Sequence, residues 1–203
     1  ELVKDLAIDW NLDPDGVTWT FKLREGVKFH DDTPFNAEAV KACLERVTSE
    51  ETGSPRRSVL AMIESVEAVD EYTVKIVTSY PCGSFLQQLA HPVAAMISPT
   101  AIEKYGKDLA RNPVGTGPLK LVEWASGEKI VMKTNADYYE GAPKVARVVF
   151  RIVPEDATRA MLIESGQVDV AMRLPITQLE RLRSNQDLTF IETPTLMTMY
   201  VAL

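Results

Sequence analysis

Apolar and polar positions alternate strictly from Thr18 to Arg24, with Trp19, Phe21 and Leu23 on one side and Thr18, Thr20, Lys22 and Arg24 on the other. A period of two marks a half-buried strand. Asp13-Pro14-Asp15-Gly16 supplies turn chemistry just before it, and Glu25-Gly26 is expected to turn the chain into a second short strand, Val27 to Phe29. The period then changes. Val40, Cys43, Leu44 and Val47 recur at helical spacing, Asn36 stands where a cap accepts the free amides of the first turn, and Phe35 and Val40 bracket it as a hydrophobic staple.

Thr52 to Arg57 reads as an exposed loop, after which Ser58 is expected to cap a short helix carrying Val59, Met62 and Ile63. Strands are predicted on both sides of Asp70-Glu71, the second alternating Tyr72, Val74 and Ile76 against Thr73, Lys75 and Val77. Ser98-Pro99 places a cap before a first-turn proline, and Gly106 is suited to close that helix in a left-handed conformation. Leu119–Trp124 and Lys129–Thr134 form a predicted hairpin around Ser126-Gly127. Val145 to Val153 reads as a buried strand, followed by a helix from Glu155 to Ser165 stopped at Gly166. Val168–Met172 is expected as a strand, Pro175–Arg183 as a helix, and Leu188–Glu192 and Met197–Leu203 as extended segments. Strands and helices without a regular βαβ alternation imply a mixed α/β (α+β) sheet architecture with an inserted smaller unit.

Composition narrows the function classes. Apolar residues make up 45% and charged residues 25% of 203 positions, which describes an ordinary globular chain able to bury a core. The net charge of −7 opposes the basic patch that nucleic acid requires, so no nucleic-acid partner is expected. No apolar run of membrane-spanning length occurs. Cys43 and Cys82 lack zinc or redox spacing, and Cys43 falls on a helix's apolar stripe as a small core residue.

His30-Asp31-Asp32 puts an imidazole beside two carboxylates, a composition compatible with metal binding or acid–base chemistry. Adjacent strand residues face opposite ways, however, so three consecutive side chains rarely converge on one ion. His91 precedes a proline and reads as structural. Gly115-Thr116-Gly117-Pro118 lacks the Lys-Ser/Thr ending of a phosphate loop and reads as a tight turn between domains. Trp10, Trp19 and Trp124 are expected in the core. No metal, cofactor or catalytic residue is assigned.

The segment Asp15–Glu38, containing GVTWTFKLREGVKFHDDTPFNAE, closely resembles the signature of family 5 solute-binding proteins, which bind peptides, dipeptides, nickel and glutathione. Asn112–Pro118, Asn135–Pro143 and Ser165–Val170 resemble three further blocks of that family, in the family's order. Departures are small, with Asp32 where Gly is usual and Leu119 where an aromatic is usual. The resemblance implies a type II periplasmic-binding-protein-like N-terminal lobe with a mixed β-sheet. Its main subdomain is expected from 1–35 and 113–203, with a smaller α/β subdomain inserted at 36–112 and the C-terminal lobe outside the chain.

The implied function is capture of peptides or similar small solutes between two lobes, for delivery to the permease subunits of an ABC importer. The protein is then a monomer, not an enzyme, placed in the periplasm or outside the cell, with a lipid anchor as one option. Both ends read as cuts through a larger fold. By the family's layout the ligand wall includes Ala94, Ala95, Met96 and Ser98 together with Thr198 and Met199, although Met96 and Ile97 also suit an ordinary core. A ligand-sensing domain of a transcription regulator, or a hydrolase, are the alternatives.

Overall fold

The computed structural model describes residues 2–192, which fall into two compact units divided between Phe150 and Arg151. The first unit opens with β1 (Ala7–Leu12) and β2 (Thr18–Leu23), joined by a turn in which Asp15 Oδ1 accepts the amides of Val17 and Thr18 at 2.9 Å each. α1 (Ala37–Thr48) follows, then β3 (Ile63–Asp70) and β4 (Thr73–Thr78). These strands make one antiparallel sheet in the order β1-β2-β4-β3. Strands from the segment 1–35 and from the segment 36–112 therefore share a single sheet.

The predicted alternation is visible in the burial. Trp19, Phe21 and Leu23 of β2 and Val74, Ile76 and Thr78 of β4 face inward, where α1 covers them with Val40, Leu44 and Val47. The Asn36 side chain caps α1 by accepting the Ala39 amide at 3.0 Å. α2 (Phe85–Leu89) closes the core through Phe85, which is fully buried and lies 5.5 Å from Trp19 between ring centroids. Burial of each such large side chain stabilises the fold by about 1.5–3 kcal/mol.

α3 (Pro99–Tyr105) starts at the Ser98 cap and ends at Gly106, whose φ of +49° requires the left-handed region that glycine enters freely. A second sheet, ordered β5-β6-β7, consists of β5 (Leu119–Ala125), β6 (Lys129–Thr134) and β7 (Arg147–Arg151). In the other unit, α4 (Asp156–Glu164) and α5 (Ile176–Arg183) are joined through Arg159. Its guanidinium donates to the carbonyls of Val153, Pro154, Met172 and Arg173 at 2.8–3.2 Å, tying the entry of α4 to the segment before α5.

Several expectations need correction. Val27–Phe29 forms no strand, because only Lys28 bridges, and it does so to Pro34, which has no N–H with which to extend a ladder. Ser58 does not cap a helix. Arg57–Leu60 is a single 3-10 turn and Ile63 already begins β3. β7 is shorter than expected and not buried, since Val149 and Phe150 are about half exposed on the last strand of their sheet. Val168–Met172 forms no strand, and Val170 and Met172 are exposed. Leu188–Glu192 belongs to no sheet, and Met197–Leu203 lies outside the described residues. Trp19 is core, but Trp124 is exposed, with the Arg111 guanidinium stacked 4.5 Å from its ring centroid.

Candidate functional site

The segment expected to form a ligand wall is held at both ends. His91 Nδ1 accepts the Val93 amide at 3.1 Å and starts a 3-10 turn, Pro92–Ala94, from which the chain leaves in an extended conformation. Ala94 is buried against the core, Ala95 is exposed and Met96 is half-buried on the core surface. Cys43 of α1 pins the next residue, because its thiol donates to the Ile97 carbonyl at 3.0 Å and accepts the Ile97 amide at 3.3 Å. Burial raises the Cys43 thiol's pKa, so it stays neutral and acts as a hydrogen-bonding core group.

Ser98 is fully buried and fully occupied. Its hydroxyl donates to Asp31 Oδ2 at 2.6 Å and accepts the Ala101 amide, while its own amide donates to the Val114 carbonyl at 2.9 Å. Thr198 and Met199 lie outside the described residues.

Ala94, Ala95 and Met96 border a cavity of about 460 Å3 whose apolar wall includes Leu6 and Trp10 from the start of the chain and Leu86 and Leu89 from α2. Among the described residues, Asp5 and His91 are the titratable groups on its lining. Leu86 and Leu89 were not singled out in the sequence. Their spacing of three after Phe85 was the available signal, in a helix too short for its period to stand out.

Beside this wall, three of the four motif blocks meet. His30 donates its amide to the Gly115 carbonyl at 2.8 Å, its Nε2 lies 2.9 Å from the Gly117 carbonyl, and the Gly115 amide points at Nδ1 at 3.4 Å. Asn135 Nδ2 donates to the same Gly117 carbonyl at 3.2 Å, and its backbone amide to the Pro118 carbonyl at 2.8 Å. Thr33 Oγ1 and the Thr33 amide donate to Asp31 Oδ1. Further along, the Tyr139 hydroxyl donates to Asp5, and Arg24 lies over the Tyr139 ring at 5.0 Å.

These contacts set the titration behaviour. Burial lowers the His30 pKa, and the Lys120 ammonium adds to this against the opposing pull of Gly117 and Asp31. Burial works to raise Asp31, but the bonds from Ser98 and Thr33 outweigh it and hold its carboxyl below the usual range. Tyr139 is pushed upward, first by burial and then by its bond to Asp5. His30, Asp31 and Cys43 thus spend their polar atoms fixing the backbone. Asp31 and His30 turn to different partners, and among the described residues no group of three metal-ligating side chains assembles.

An apolar cavity edged by Ala94 and Ala95 and by a pinned backbone is suited to binding a small molecule. The family model described as bacterial extracellular solute-binding proteins, family 5 Middle, matches residues 1–203. The chain belongs to this family. Among curated relatives of this family-5 domain, it is 40% identical over 199 residues to the glutathione-binding protein GsiB of Shigella flexneri, covering 98% of this chain and 39% of that protein. It is 37% identical to the GsiB of Pectobacterium atrosepticum, covering 100% of this chain and 40% of that one.

Among solved structures, NikZ from Campylobacter jejuni in complex with Ni(L-His) superposes with a TM-score of 0.83 at 27% identity, over 90% of this chain and 37% of that one. DppA from Helicobacter pylori in complex with the peptide STSA gives 0.82 at 30% identity, over 90% and 40%. The family-5 domain therefore has the mixed α/β fold of the periplasmic binding proteins, and spans about two-fifths of its relatives' length.

Proposed function

We propose that this chain is one part of a solute-binding protein of an ABC importer, which captures a peptide-like solute and presents it to membrane permease subunits. The observation that carries the reading is the match to the family over residues 1–203, with curated relatives that are glutathione-binding proteins. In this reading the protein is non-catalytic, binds small peptides or glutathione in preference to a metal chelate, works as a monomer in the periplasm or outside the cell, and carries a lipid anchor where the cell envelope demands one. Ala94, Ala95, Met96 and Ser98, with Thr198 and Met199, form this chain's share of the ligand wall. The exposed Ala95 beside the cavity supports its place there, and Ser98 serves through its backbone turn. The expected subdomain division into 1–35 with 113–203 and an insertion at 36–112 is not part of it, because β2 of the first segment pairs with β4 of the second in one sheet.

Titration calorimetry on the full-length polypeptide that carries this chain, with glutathione, a tripeptide series and Ni(L-His), tests it. Saturable heat with glutathione or a tripeptide is the expected result, and Ala95→Trp is expected to weaken it at least about tenfold by filling the wall. Silence with every peptide and with glutathione sinks the cargo assignment; unchanged affinity in Ala95→Trp sinks the wall.

A further inference from the structure

The imidazole of His30 is engaged at both ring nitrogens, and one of the two contacts depends on a single lone pair. The Gly117 carbonyl, 2.9 Å from Nε2, only accepts, so Nε2 carries the proton in the neutral ring. Nδ1 then presents its lone pair to the Gly115 amide at 3.4 Å. One neutral tautomer satisfies both contacts. A second proton has only Nδ1 to occupy, where it sets an N–H against the Gly115 N–H and removes that contact.

We propose that His30 is a proton-operated latch on the Gly115 amide, closed when the ring is neutral and released when Nδ1 takes a proton from solvent. The Nε2 bond to the Gly117 carbonyl and the His30 amide bond to the Gly115 carbonyl persist. The charged groups facing the ring are Asp31, beside it in the chain, and Lys120 of β5, whose ammonium lies 3.4 Å from the His30 carbonyl. Asp31 favours the cation, but its carboxylate is already engaged by Ser98 and Thr33. Lys120 and the partial burial of the ring oppose the cation, which places the release below the ordinary histidine range.

The loop does not move alone. The Val114 carbonyl accepts the Ser98 amide at 2.9 Å, and a Cβ added at Gly115 would lie 3.7 Å from the Met96 carbonyl. Release of the Gly115 amide therefore reaches Ser98 through the Val114–Gly115 peptide unit, whose carbonyl accepts the Ser98 amide. The latch concerns the domain itself and stands whatever solute the protein carries.

Amide NMR of the 203-residue chain between about pH 8 and pH 5 tests it, the imidazole and backbone resonances being followed together. The Gly115 and Gly117 amides are expected to shift along the same curve as the His30 ring, with a midpoint below ~6.5, and the Gly115 protection factor to fall about tenfold across it. In His30→Gln those shifts should vanish. Glycine amides that stay fixed while His30 titrates overturn the latch, as do amides that follow only a carboxylate-range curve. Should His30→Gln fail to fold, the wild-type curves alone decide, since they either coincide or do not.

Discussion

The Ser98 hydroxyl donates to the Asp31 carboxylate at 2.6 Å across 67 positions of sequence, linking the start of α3 to the turn before α1. Removing it in Ser98→Ala also deletes the cap on the Ala101 amide, and is expected to cost about 1–3 kcal/mol in urea unfolding at neutral pH.

The same bond sets a pH dependence. Because the folded Asp31 pKa is depressed, its contribution is fully present above the unfolded value near ~3.9 and is lost as pH falls through the folded value. Urea midpoints taken from about pH 7 down to pH 2.5 should fall less steeply at the acid end for Asp31→Asn than for the wild type. Parallel acid limbs would show that the carboxylate is not perturbed.

Asp32 sits at φ +66° in the tight turn between Phe29 and Thr33, the position where the family usually has glycine. A left-handed conformation costs a side-chain-bearing residue roughly 1–2 kcal/mol, partly offset by glycine's larger entropy when unfolded. Asp32→Gly should therefore gain about 0.5 kcal/mol and Asp32→Val should lose about 1 kcal/mol or more, read as opposite shifts in thermal midpoint.

Trp19 packs on Phe85, yet its indole Nε1 is buried with no partner among the described residues. Trp19→Phe removes that stranded donor along with some volume, so the expected loss is under about 1.5 kcal/mol, against about 3–5 kcal/mol for Trp19→Ala. Chemical denaturation of both variants checks this, and a Trp19→Phe loss well above about 1.5 kcal/mol would show that the lost ring volume outweighs relief of the stranded N–H.

Asn36→Ala should cost about 1 kcal/mol by freeing the Ala39 amide, and Asn36→Asp should restore most of it because the carboxylate also favours the helix N-terminus. Helix content and unfolding midpoint of the two variants measure this together.

Elements whose physics is local were legible in advance. β2 and β4 are marked by strict alternation, α1 by its cap and stripe, and α3 by Ser98, Pro99 and Gly106. The misread strands share one cause. Val27–Phe29, Val145–Val153 and Val168–Met172 have strand-like composition, but strand formation and burial depend on a neighbour that the segment itself does not specify.

Residue order thus determined the caps, turns and periodic faces, together with the motif blocks that place the chain in its family, because each is written within a few neighbouring positions. Only the tertiary structure decided that His30 meets Gly117 across 87 positions, that Cys43 holds Ile97 across 54, and that Leu6, Trp10, Leu86 and Leu89 wall one cavity. Those contacts arise when the sheet and α1 pack, and packing brings together residues whose separation along the chain carries no record of their distance in space.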